Sequence, residues 1–282
     1  MKRLIASLLT MVALTACASP LAKTETAQQA LSGAAQRTSQ LKSAKFDFNG
    51  NVKMTFPPAL GQMFGQSGSA AGSLSVDMNG AGEAQFPDRY HATVNAKMSS
   101  LSIATEVIVA NGKAYVKNPL TNKWEVSNQS ANLTDQLGQA DPLSASQLLK
   151  SVKSVSEQPE ETLDNTRVRH LRLTPDKDKL LSNLSSSSIK NPQALAALKQ
   201  VLDSGTMTVD VWFGKDDHLL RKLSTDADYR IDLNQLMGSL GSITGTNASR
   251  LPAGSTIHAT AHVVINYHDF DKPVTISIPT VG

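Results

Sequence analysis

Six histidines are the residues best suited to metal or acid–base chemistry: His91, His170, His218, His258, His262 and His268. The last three share one parity of a strand pattern, but residues four apart on a strand stand roughly 13 Å from each other, too far to share one ion. They read as a solvated strand face, and no metal is expected. Ser39-Gln40-Leu41-Lys42 and Ser187-Ser188-Ile189-Lys190 have the spacing by which a lysine activates a serine nucleophile. Neither comes with the companion motifs of an acyl-enzyme, and a chain rich in Ser and Lys produces the spacing by chance. The chain has no Gly-x-Ser-x-Gly elbow, His-Glu-x-x-His, Walker loop or dinucleotide fingerprint. Asp135, Asp141 and the other acids are scattered, with no evident pair of carboxylates. The Asn-x-Ser/Thr triplets at Asn128, Asn132, Asn183 and Asn247 read as polar turns. No catalytic residue and no cofactor is assigned, and the chain is not expected to be an enzyme.

The chemistry that does stand out is at Cys17, the one cysteine. Lys2 and Arg3 form a charged start, residues 4–14 are mostly apolar, and Leu14-Thr15-Ala16-Cys17 follows. The apolar run is too short to span a bilayer and has the layout of a secretory signal. The four residues resemble the bacterial lipobox, which implies cleavage before Cys17 and a diacylglyceryl group on its thiol. Residues 1–16 are therefore expected to be a signal peptide and residues 17–27 a lipidated tether. A single domain is expected over residues 28–282. Two or three acyl chains anchor stably where one is marginal. The expected location is the cell membrane, lipid-anchored on its extracytoplasmic side.

Composition agrees with such a body. The chain has 282 residues, 40% hydrophobic and 18% charged, which is ordinary for a globular protein. A lone cysteine excludes a disulfide framework and a thiolate zinc site. Removal of residues 1–16 leaves 25 basic against 24 acidic side chains, a net charge of +1. There is no basic cluster to serve as a nucleic-acid footprint, and no such partner is expected.

A helix is expected within residues 24–43, with Ala27, Ala30, Leu31, Ala34, Ala35 and Leu41 near one stripe. The period then becomes two, as in half-buried strands. Phe46, Phe48, Val52 and Met54 alternate with polar residues; so do Leu74, Val76 and Met78, and then Tyr90, Ala92, Val94, Ala96 and Met98. Leu101, Ile103, Val107 and Val109 continue the pattern, and Asn111-Gly112 signals a hairpin into Ala114-Tyr115-Val116. Another turn at 118–122 leads into Trp124, which makes six strands in an antiparallel meander. A helical stretch is expected over 132–150, with Asp141 capping a helix that starts at Pro142. Single strands are expected at 151–158 and 162–174, helices at 176–184 and 192–202, and strands at 207–213 and 218–229. A Gly/Ser/Thr-rich loop at 238–254, a long strand at 257–267 and a short closing strand at 274–278 complete the chain.

With polar constellations absent, the oily face remains. Met54, Met78, Met98 and Met207 join Phe46, Phe48, Val52, Val76, Tyr90, Val94, Ile103, Val107, Val209, Val211 and Ile265 on the apolar parities. One reading is a core covered by helices. The other is a curled, incompletely covered sheet with a slot for an acyl chain, around which unbranched Met side chains repack easily. Leu60, Met63 and Phe64 share a helical face in a segment followed by Gly, Ser and Ala, and are a candidate lid or a patch that dips into the bilayer, or else a hairpin loop folded back on the core.

The order of elements resembles the mycobacterial LppX/LprA/LprF/LprG lipoproteins, whose fold is similar to the LolA and LolB carriers. The residues that carry the resemblance are Ala44-Lys45-Phe46-Asp47-Phe48, Ala114-Tyr115-Val116-Lys117 with Lys123-Trp124, and Val209-Asp210-Val211-Trp212-Phe213. His218-Leu219-Leu220-Arg221-Lys222 and Tyr267-His268-Asp269-Phe270-Asp271-Lys272-Pro273-Val274 complete the set. The resemblance implies an α+β fold: a curved antiparallel half-barrel of about ten or eleven strands with helices covering its concave face. It also implies a hydrophobic cavity for acylated lipids (glycolipid, phospholipid or triacylglycerol) moved within the cell envelope. Expected partners are a lipid with acyl chains, the membrane through Cys17, and an envelope transporter or acceptor protein. The alternatives are a lipoprotein-acceptor module like LolB and a ligand-free sensor or scaffold. The segments at 56–72 and 238–254 depart from a compact version of the pattern.

Overall fold

The strands form where apolar and polar residues alternate, and they pair in the order that lets one oily side run unbroken. The computed structural model describes residues 25–57, 72–99, 101–127, 149–187, 192–235 and 254–281. Helix α1 (Ala27–Thr38) opens the described chain, followed by β1 (Ser43–Thr55), β2 (Ser73–Gln85), β3 (Arg89–Met98), β4 (Leu101–Ala110), β5 (Lys113–Lys117) and β6 (Trp124–Val126). Next come β7 (Val152–Glu157), β8 (Glu161–Leu163) and β9 (Thr166–Pro175), then helices α2 (Lys177–Ser187) and α3 (Pro192–Asp203). Strands β10 (Gly205–Gly214), β11 (Leu220–Asp232) and β12 (Thr256–His268) finish the sheet.

The sheet has twelve antiparallel strands in the order β6-β5-β4-β3-β2-β1-β12-β11-β10-β9-β7, with β8 paired to β9. Its ends, β6 and β7, do not meet, so it is a curved, open half-barrel. The meander β1 to β6 is the one that the alternation dictates. Chain-terminal β12 lies between β1 and β11 and joins the two halves.

Helix α1 is set by Thr26, whose hydroxyl accepts from the Gln29 N–H while the Gln29 side chain caps Thr26 in return. It buries Ala30, Leu31, Ala34 and Ala35 against Phe46, Leu171, Val209, Val211, Phe213, Leu223, Ile265 and Tyr267. Three alanines let the helix lie close to the sheet. The face on which α1 packs is the inner face. The far end of α1 is tied by Arg37, which donates to Asp271 at 3.2 Å, while Asp271 also accepts from the Lys42 N–H at 2.8 Å.

Four expectations change. The sheet has twelve strands rather than ten or eleven. The first helix ends at Thr38, so Leu41 is buried beyond it rather than on its stripe. The segment 162–174 is not one strand: Asp164 and Asn165 adopt positive φ (46° and 62°) and turn β8 into β9 without glycine. Residues 274–278 form no ladder; Val274 and Ile276 pack on Ile108, Ala110, Tyr115 and Trp124, and Arg89 Nη1 donates to the Ile276 carbonyl. Apolar alternation there serves packing on the outer face, not pairing. Cys17, the signal segment, the candidate lid (Leu60, Met63, Phe64), the helical stretch 132–148 and most of the loop 238–254 lie outside the described residues.

Candidate functional site

Register places all fifteen apolar candidates on one face. Phe46, Phe48, Val52 and Met54 of β1 stand opposite Tyr267, Ile265, Ala261 and Ala259 of β12, and opposite Gly82, Gly80, Val76 and Leu74 of β2. From β2 the face runs through Met98, Val94 and Tyr90 of β3 to Leu101, Ile103 and Val107 of β4. In the other direction it runs through Leu223 and Tyr229 of β11 to Met207, Val209 and Val211 of β10.

Their environments divide. Phe46, Tyr90, Val107, Val209, Val211 and Ile265 are buried. Four of these, Phe46, Val209, Val211 and Ile265, belong to the core under α1. Phe48, Val52, Met54, Val76, Met78, Val94 and Met207 are half-buried, while Met98 and Ile103 are 38% and 40% exposed and neighbouring Leu101 is 49% exposed. The buried members lie toward one end of the strands and the half-buried ones toward the other. Among the described residues, the inner face is thus sealed at one end, and at the other, the open end, its side chains stay half-buried or exposed.

Glycine shapes the boundary. The Phe46 ring lies over Gly82 and the Phe48 ring over Gly80, where a Cβ would come within 2.6 Å of Phe48 Cζ. These rings cover backbone that carries no side chain, and they stack in tilted contact at 6.4 Å. At the sealed end, Arg169 is buried and donates from Nε and Nη2 to both oxygens of Glu157, at 3.0 and 2.8 Å, and from Nη1 to Glu25 at 3.0 Å. The Glu157 hydrogen bonds hold its guanidinium pKa above the ordinary value against the opposing effect of burial.

Among the described residues, the open part of the face carries no charge. From β4 to β10 the inward positions of the pairing register include no Asp, Glu, Lys, Arg or His. Its width, six strand spacings from β10 to β4, is about 29 Å along the sheet. Such a surface can bury alkyl chains and offers nothing to bind an ion.

Five of the six histidines meet carboxylates on the outer face. His258 Nε2 is 2.9 Å from Asp228, His262 Nδ1 is 2.7 Å from Asp226, and His268 Nε2 is 3.2 Å from Asp47, each pair crossing strands. His91 sits between Glu83 and Glu106 at 3.6 Å. The Lys117 hydrogen bond holds the Glu106 carboxyl below its ordinary pKa. His170 bridges Glu161 and Asp210 at 2.8 Å and stacks on Trp212, whose ring lies 4.4 Å from the Lys222 ammonium. No group of three or more metal-ligating side chains exists among the described residues. Strand parity alone could have paired these histidines with acids. The His170–Trp212–Lys222 layer needs the register of β9, β10 and β11, which the sequence does not print.

No family model matches the chain, and no curated protein does. Solved structures similar to it include LprF from Mycobacterium bovis, at 16% identity, covering 91% of this chain and 97% of that one with a TM-score of 0.48. Mycobacterium tuberculosis lipoprotein LppX is similar at 15% identity, over 89% and 97% of the two chains, with a TM-score of 0.41. A LolA superfamily protein from Nitrosomonas europaea follows at 10% identity, 89% and 95% coverage, and a TM-score of 0.29. The first two are members of the group that the sequence motifs resemble.

Proposed function

We propose that this chain is a membrane-anchored lipoprotein that binds acylated lipids on its inner face for transport in the cell envelope. The observation that carries the reading is the uncharged, half-buried end of that face, continuous from Met207 across to Ile103. Burial of alkyl chain is worth about 0.8 kcal/mol per CH₂, so a sixteen-carbon chain offers roughly 12 kcal/mol gross without any hydrogen bond. That matches a site with no polar constellation. Sequence supplies the anchor: residues 1–16 as signal and Cys17 as the lipidated residue, with the folded body held outside the cytoplasm. No helix of the described residues is long and apolar enough to cross a membrane.

Lipid mass spectrometry tests the reading on the full chain carrying Cys17→Ser, purified without detergent, so that no acyl group of its own competes. One co-purifying acyl lipid per chain is the expected result. A lipid-free protein that also takes up no added lipid would leave a sensor or scaffold as the function.

The lipoprotein-acceptor reading has one observation in its favour. Strand β5 pairs with β4 only at Val107–Ala110, so among the described residues Leu101–Ala104 has no ladder partner on the side away from β3, and it carries exposed Leu101 and Ile103. Such an edge can pair with an extended segment of a partner.

A further inference from the structure

From β4 to β10 the inward positions are uncharged but not devoid of polar atoms. They include three tyrosines, and these differ. Tyr90 is buried and donates from its hydroxyl to the Pro87 carbonyl at 3.1 Å, and buried Tyr267 also has a polar or ring partner. Tyr229, at the open end of β11 opposite Ala259, is half-buried and its hydroxyl has no hydrogen-bond partner among the described residues. Its hydroxyl is not among the buried unsatisfied atoms, so it reaches solvent at the edge of an apolar surface and is free to donate to a ligand there. Burial pushes the Tyr229 pKa above the ordinary value of 10.0, so the phenol keeps its proton and remains a donor at any physiological pH.

The surroundings fix what that donor suits. Its ring leans over Gly205, where an added Cβ would come within 2.6 Å of Tyr229 Cδ1. Beside it on the inner face lie Ala227, Ala259 and Met207. A free anion gains nothing on a surface without a cation, whereas a neutral carbonyl flanked by alkyl chain costs little to desolvate and accepts one hydrogen bond. Thr225 also carries a hydroxyl without a partner among the described residues on this face, but it stands at the level of the sheet, while the Tyr229 hydroxyl is at the far end of a ring.

We propose that Tyr229 is the positioning residue of the lipid site: its phenol O–H donates to an ester carbonyl oxygen of the bound lipid and fixes how far the acyl chain extends across the inner face. This rests on the lipid-binding reading above. The chain then runs from Tyr229 toward Ile103, a path of about 24 Å, while an extended sixteen-carbon chain at about 1.25 Å per carbon–carbon bond reaches roughly 19 Å.

The test uses two probes that differ only at the carbonyl: a sixteen-carbon lysophosphatidylcholine with an ester link, and its ether analogue. Both are titrated by calorimetry, below their micellar concentrations, into the full chain carrying Cys17→Ser with and without Tyr229→Phe. The unsubstituted tyrosine should bind the ester about five-fold more tightly than the ether, the ratio that one net hydrogen bond of about 1 kcal/mol produces. Tyr229→Phe, which keeps the ring over Gly205, should bind the ether unchanged and lose the ester preference. An ester preference that survives Tyr229→Phe, its absence from the tyrosine form, or equal weakening of both probes overturns the assignment while leaving lipid binding intact. Failure of both probes to bind the tyrosine form removes the lipid site itself, and Tyr229 with it.

Discussion

The two ends of the inner face are written in the same alternation and behave differently. At the sealed end, Phe46, Val209, Val211 and Ile265 meet α1 and become core. At the open end, Met54, Val76, Met98 and Ile103 repeat the same period and stay half-buried or exposed. The residue types are equally apolar, so hydrophobicity does not separate them. What separates them is α1, whose three small residues let it approach closely over Phe46, Val209, Val211 and Ile265. Periodicity tells a strand which side faces inward; it does not tell it what will lie on that side.

The sharpest way to break this comparison is to cut each end in turn. Leu31→Ala removes a side chain that is 1% exposed beneath α1, and unfolding in denaturant should show a loss of about 2–5 kcal/mol. Met98→Ala at the open end should change stability by no more than about 0.5 kcal/mol, as surface substitutions do. Comparable losses at both sites would mean that the open end is packed after all.

A smaller contrast uses glycine. At Gly82 a new Cβ runs into the Phe46 ring and comes within 2.9 Å of the His91 carbonyl, so Gly82→Ala should cost about 1–3 kcal/mol in thermal unfolding. At Gly50 the nearest atom is the end of the Val263 side chain at 3.2 Å, and Gly50→Ala should cost less. Reversal of that order would contradict the view that aromatic rings seal the boundary.

The smallest effect is electrostatic. The Asp271 carboxyl, held low chiefly by the Lys42 N–H, and that of Glu106, held low chiefly by Lys117, are both depressed from ordinary values of 3.8 and 4.5. A depressed pKa stabilises the fold fully above the unfolded value and is lost as pH falls through the folded value. Stability should therefore fall below about pH 4, and the acid slope should be shallower in Asp271→Asn, measured by thermal unfolding across pH. An unchanged slope would show that the tie between Asp271 and α1 contributes nothing.

Much of this architecture was legible. The parity of Phe46, Met78, Val94 and Ile265 assigns each to the face it occupies, and Asn111-Gly112 marks its hairpin, with φ of 54° and 70°. Asp164-Asn165 was not legible, because two non-glycine residues adopt a left-handed turn that more often recruits glycine. Residues 274–278 carry a strand pattern that packs instead of pairing, and composition does not distinguish the two. The boundary between sealed and open ends depends on where α1 docks, and Tyr229 differs from Tyr90 only through its surroundings. Both are properties of the folded chain.

One measurement tests the central claim directly: bound-lipid stoichiometry and thermal stability determined together for Val94→Trp and Ile103→Trp. If the open end holds an acyl chain, an added indole occupies its place. Lipid should then fall from about one per chain toward zero, with stability measured on delipidated protein changed by no more than about 1 kcal/mol. Retained lipid in both variants, or a loss of several kcal/mol with no lipid in the parent chain, would contradict the account and show a face already filled by its own side chains.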